Sequence, residues 1–319
     1  MDIPRIILGC LPFLGESYQG AEKNRLYAER FSDVNETTRI LRSAYIDYGI
    51  RVIATPTYSD STLVRSFFLS ISKLRGEGVD WMLAPCISLP LTLGGSMVDD
   101  MRRWATYLVL ESSSMAEALA LKERYFEDPI LLCRPRWREL FSKALVDIKP
   151  YEPKDFQELS LDLELLESRA SRFEPDECLF VELGSEIDFL VLTRRLDLVG
   201  ECIDALRSLG FTRILLGSHH AGSVIPILEE SDLFFEGYVT PLNPIGALML
   251  PSKGSVESAV RGTSRWVVAI KPLAGGRVAP IDAFRYIFRS LGVKSVMVGV
   301  ASLEELAEDM DALMKALLE

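Results

Sequence analysis

The apolar positions of this chain fall mostly in short continuous runs that do not alternate with polar ones. Such runs mark residues 6–9, 51–55, 81–85, 178–182, 213–217, 234–239, 266–270 and 296–298. Unbroken apolar runs of this length are expected of strands covered on both faces in a parallel sheet. Helical stretches are predicted at 35–48, 61–74, 199–209, 280–290 and from 303 to the end, with Asn35 as an N-cap and Gly49, Gly210 and Gly292 as stops. Strand, loop and helix repeated eight times predict an α/β chain closed into a (β/α)8 TIM barrel, with a doubly wound open sheet as the structural alternative. The clearest unit is WVVAIKPLAGGR at 266–277, where an apolar strand runs into Lys271, Pro272, Gly275 and Gly276 before Pro280 opens the next helix.

The rhythm breaks over 88–175. Helical stretches at 115–126, 137–146 and 156–173 and short apolar runs at 107–110 and 130–133 are punctuated there by Pro129, Pro135, Pro150, Pro153 and Pro175. The expectation is one barrel domain over 1–319, with 88–175 as a helical insertion or elaborated connection between the third and fourth strands. The fourth strand is read at 178–182, with 188–192 as its rival; another arrangement puts a strand at 106–110 and the insertion after it.

Composition narrows the function. A net charge of −11 argues against nucleic acid or an anionic membrane as partner and leaves a small-molecule ligand. No apolar run reaches the roughly 18 to 20 residues of a membrane span, so a soluble, cytoplasmic protein is expected. The five cysteines are scattered, without a CxxC pair, and predict neither a disulfide framework nor a zinc site. Glutamine occurs only at 19 and 157 and asparagine only at 24, 35 and 243, a depletion that fits a thermophile.

In a barrel of this kind, chemistry is expected at the C-terminal ends of the strands. His219 is a candidate acid or base, and Lys271 a candidate nucleophile if desolvation lowers its pKa. Tyr58 is read either as a rim aromatic or as a ligand contact. Gly275 and Gly276, ahead of a helix, are placed to offer backbone N–H groups to an anion.

KPLAGGR at 271–277, GYVTPLNPIG at 237–246, LGSHH at 216–220 and VMVGVASLEELAEDMDAL at 296–313 together resemble the second half of the aldo-keto reductase family. ILGCLPF and GIRVIATPTY at 49–58 resemble its first two strands. The resemblance covers about two-thirds of the chain and leaves 88–175 unmatched. It implies hydride transfer between NADP or NAD and a carbonyl, with no metal. It also implies a cofactor held by Ser218, Asn243, Lys271, Pro272, Leu273, Gly275, Gly276, Arg277 and Ser302. The family's tyrosine proton donor matches Tyr58 once one residue is deleted. Its aspartate is replaced by Ala54 and its lysine by Cys86, and Glu182 or Glu111 stands nearest to its histidine. Its basic residue and asparagine for the adenosine phosphate are matched by Ala301 and Asp309, and an aspartate there would repel a 2′-phosphate.

Three readings follow. The first is a non-catalytic or repurposed small-molecule-binding barrel, with or without a nicotinamide cofactor. The second is a divergent NAD(P)H-dependent oxidoreductase using Tyr58. The third is another barrel enzyme using Lys271, His219 or Glu182.

Overall fold

The computed structural model describes residues 3–318. Eight parallel strands close into a barrel: β1 (Ile6–Gly9), β2 (Val52–Thr55), β3 (Met82–Ile87), β7 (Val181–Leu183), β8 (Ile214–Gly217), β9 (Gly237–Pro241), β10 (Trp266–Ile270) and β11 (Ser295–Gly299). β4 (Leu91–Leu93), β5 (Ser96–Met97) and β6 (Leu159–Leu161) form a separate three-stranded sheet. β1 pairs with β11 from Ile6 opposite Val296 to Gly9 opposite Gly299, which closes the ring. Every residue of β2 and of β9 is buried, in keeping with their continuous apolar runs. The open sheet is thereby excluded.

The helices lie between the strands and bury one face each. Val34–Ile46 begins at Asp33, whose carboxylate accepts from the Asn35 N–H at 2.8 Å; the cap therefore stands two residues before the expected Asn35. Ala21–Phe31, between β1 and the helix Val34–Ile46, is a helix whose Tyr27 and Phe31 pack into the core beside Phe13. Among the described residues no helix is long and apolar enough to cross a membrane.

The segment between β3 and β7 differs most from expectation. The run at 106–110 belongs to the helix Asp100–Leu110, and the rival strand at 188–192 belongs to the helix Ile187–Leu192. The run at 130–133 makes a short 3₁₀ turn. Instead of one helix over 156–173 there are Pro153–Gln157, the strand β6 and the helix Leu163–Ala170, which starts where Asp162 accepts from the Leu165 N–H at 2.9 Å. This segment has an aromatic centre in which Trp104 meets Tyr107, Tyr125 and Trp137 edge to face. It is tied to the barrel's loops: Asp128 accepts from the Leu248 N–H at 2.6 Å, and Arg124 donates to the Met249 carbonyl at 2.8 Å.

Two glycines give a paired test of the packing. A Cβ at residue 237 would stand 2.3 Å from the Trp266 carbonyl oxygen of the neighbouring strand, with backbone on the receiving side, whereas a Cβ at residue 254 meets nothing within 4 Å. Gly237→Ala is expected to cost about 1–3 kcal/mol. Gly254→Ala, in a helix, is expected to gain about 0.5–1 kcal/mol. Urea midpoints at unchanged slope read both.

Candidate functional site

The strand period of two builds the site. Ile7, Val52, Ala84, Phe180, Leu215, Val239 and Val268 point inward and pack on one another as a layer inside the barrel. Two residues further along, the inward positions of β1, β2, β3, β7, β8 and β10 are Gly9, Ala54, Cys86, Glu182, Gly217 and Ile270. Three of these six have no side chain larger than a methyl. All six line a cavity of about 850 Å³ at the C-terminal mouth, together with Gly299 of β11. The glycine at 217 is needed for the acid next to it, since a Cβ there would stand 2.6 Å from a Glu182 carboxylate oxygen.

The loop after β10 forms part of the wall. Lys271, Ala274, Gly275 and Gly276 all have positive φ, at 52°, 47°, 68° and 76°. The turn is held by the Ala274 N–H donating to the Lys271 carbonyl at 3.0 Å, and by the Arg277 and Val278 N–H groups donating to the Leu273 carbonyl. Among the described residues, the N–H groups of Gly275 and Gly276 donate to no protein acceptor. Gly275 is fixed as glycine by the Tyr18 carbonyl oxygen, which would lie 2.6 Å from a Cβ. That same oxygen accepts from the Arg277 guanidinium at 2.8 Å and from the Cys133 thiol at 2.9 Å. The Lys271 ammonium lies 5.0 Å from the centre of the Tyr18 ring.

Of the residues expected at the site, Ser218, His219, Lys271, Pro272, Leu273, Gly275, Gly276 and Arg277 line the cavity. Asn243, Ser302 and Tyr58 do not. Asn243 is fully buried and shapes the loops from behind, its amide donating to the Ala247 carbonyl at 2.9 Å and accepting from the Ala247 N–H at 2.8 Å. Ser302 accepts from the Glu305 N–H at the start of the helix Leu303–Leu318. Tyr58 is 42% exposed and stacks on Phe68, with ring centres 3.9 Å apart. Thr57, one residue earlier, fixes the turn by donating to the Cys86 carbonyl and accepting from the Ser88 N–H, and the chain then carries Tyr58 outward.

Burial sets the electrostatics. It pushes Glu182 up to about 7, against the opposing pull of Lys271 and the Cys86 thiol. Cys86 is raised well above an ordinary thiol by burial and then by Glu182, so it stays protonated. His219 is held well below an ordinary imidazole by burial and then by Lys271. Behind it, Asp188 accepts from the Ser218 hydroxyl at 2.5 Å and from the His219 N–H at 2.9 Å, and burial raises it to about 6. The His220 Nδ1 lies 2.6 Å from Glu111; burial opposes its charge, but Glu111 and Asp188 together outweigh burial and raise the imidazole. Among the described residues no three His, Cys, Asp or Glu side chains converge as metal ligands.

One feature carried little weight in the sequence. Thr55 lines the cavity with a buried hydroxyl that has no partner among the described residues. Its position at a strand end was the available signal. Asp309, matched above to the family's asparagine, lines the cavity from the last helix and is 3% exposed.

Glu182 predicts a pH effect on stability. The folded chain binds its proton up to about 7, whereas the unfolded chain releases it near 4.5, so stability falls as pH rises through that window. Glu182→Gln is expected to flatten this part of the profile, read from urea unfolding between pH 4 and 8. An unchanged slope would show that Glu182 titrates normally.

No family model and no curated protein matches the chain. Two solved structures from Pseudomonas aeruginosa, both assigned to the aldo-keto reductases, resemble it at 15% and 16% identity. Each likeness covers 99% of this chain and 92% of the other, with a TM-score of 0.55. The chain thus has the (β/α)8 barrel fold found in the aldo-keto reductases.

Proposed function

We propose that the cavity binds a nicotinamide dinucleotide, and that the barrel is a repurposed small-molecule-binding protein without tyrosine-assisted carbonyl reduction. The supporting observation is the loop 271–277: two unengaged N–H groups at Gly275 and Gly276, with Lys271 in the same loop, open on a cavity of about 850 Å³. Adjacent backbone N–H groups in a tight turn suit a pyrophosphate, and the volume falls in the range of about 300–1,000 Å³ usual for ligand pockets. A bound nicotinamide would supply hydride chemistry. Against assistance in the family's way stand Tyr58, which lies outside the cavity, and a half-buried, protonated Cys86 in the lysine's place.

Glu182 favours a second reading, a divergent reductase of a small carbonyl compound. It is a half-buried acid in the cavity's inner layer, held to about 7, and so is able to give up a proton near neutral pH.

Calorimetric titration with NADH and NADPH tests the first reading, with binding of at least one expected and Lys271→Ala expected to weaken it about tenfold. Absence of binding by either at high micromolar concentration would overturn it. A panel of aldehydes and ketones tests the second: turnover abolished by Glu182→Gln and untouched by Tyr58→Phe supports it, and no turnover rejects it.

A further inference from the structure

Behind the cavity wall three buried titratable groups stand in line. Glu111 closes the helix Asp100–Leu110, and its Oε2 lies 2.6 Å from His220 Nδ1, with the two side chains 1% and 0% exposed. The same oxygen accepts from the Tyr125 hydroxyl at 3.4 Å, whereas Glu111 Oε1 and His220 Nε2 have no hydrogen-bond partner among the described residues. Asp188 is the far end of the line and is also buried. It accepts from three donors, the Ser218 hydroxyl at 2.5 Å and the His219 and His220 N–H groups at 2.9 and 3.3 Å. Ser218 and His219 line the cavity, and Glu111, Asp188 and His220 do not.

Asp188 can serve all three donors only as a carboxylate, because a proton on either oxygen would turn an acceptor into a donor. A buried carboxylate in turn needs a positive charge beside it. His220 supplies that charge as an imidazolium, and its charge lowers Asp188 against the effect of burial. Burial alone would strip the imidazolium of its proton; Glu111 and Asp188 on either side retain it. The other groups facing this line add no anion. Arg103, from the helix Asp100–Leu110, opposes the imidazolium. Tyr107 from the same helix and Tyr125 from the helix Met115–Glu127 are raised well above an ordinary phenol, first by burial, and stay protonated. His219 stays neutral.

We propose that Glu111 and His220 are positioning residues: as a buried ionic brace they keep Asp188 an acceptor, and Asp188 in turn holds Ser218 and His219 at the cavity. The segment between β3 and β7 thereby serves the site through a side chain that lies outside it. The brace concerns the wall and not its ligand, so it stands apart from the dinucleotide reading.

Nuclear magnetic resonance of the full chain, which has two histidines, tests the brace without a ligand. In the unmodified protein the His220 imidazole is expected to titrate above the ordinary value of about 6.5. The His219 and His220 amide signals are expected to follow Asp188 with a midpoint near 6, and the His219 ring signal to move with them. His220→Gln removes the imidazolium and is expected to carry that midpoint upward by about one pH unit. Glu111→Gln is expected to lower the titration of His220. The double variant Glu111→Gln/His220→Gln leaves no stranded charge and reads the same upward shift should His220→Gln fail to fold. Amide midpoints unchanged in the variants, or a His219 ring signal indifferent to the midpoint, overturn the proposal. A purely packing role would lower the urea midpoint of the variants and leave both signals where they are.

Discussion

Closing eight parallel strands into a ring forces every second side chain into a confined interior, and the rest of the molecule follows from what this chain puts there. One layer is filled by Ile7, Val52, Leu215 and their neighbours, and it makes the barrel a solid core. In the next, Gly9, Ala54 and Gly217 leave the space unfilled. The same backbone geometry thus yields a packed base and an open mouth, and the change occurs within two residues of each strand. Glu182 enters this layer only because Gly217 lacks a Cβ.

A second polar centre joins the segment between β3 and β7 to the barrel. Glu111, at the end of the helix Asp100–Leu110, meets His220, while Asp188 collects the Ser218 hydroxyl and the backbone of His219. All of these groups are buried, and a buried ionic contact is demanding: removing one partner strands the other. Their arrangement fixes which of the two adjacent histidines faces the cavity. His219 lines it, and His220 is turned into the aromatic cluster of Trp104, Tyr107 and Tyr125.

Much of the barrel was legible in the sequence because its strands are buried on both faces and their apolar runs are bounded by Gly and Pro. The loop 271–277 was legible for a related reason: only certain residues tolerate its positive φ values. The segment 88–175 was not, since the run at 107–110 lies on a helix surrounded by aromatic side chains, and a short apolar run reads alike in a buried helix and a buried strand. Tyr58 shows the limit at the site. Its place after β2 suggested the cavity, but the direction of its side chain depends on Thr57 bonding to β3 and on a stacking partner, Phe68, contributed by the next helix. Asp309 was identifiable as an acid in the last helix; its burial in the cavity wall was not.

The carbonyl oxygen of Tyr18 has a consequence for recognition. It gathers the Cys133 thiol, the Arg277 guanidinium and the close approach of Gly275 at one point, so three segments distant in sequence share one fastening at the rim. A rim fastened in this way has already given up its conformational freedom when the chain folds. A ligand arriving at the Gly275 and Gly276 amides then meets a surface that needs little ordering, which retains more of the contact energy as affinity.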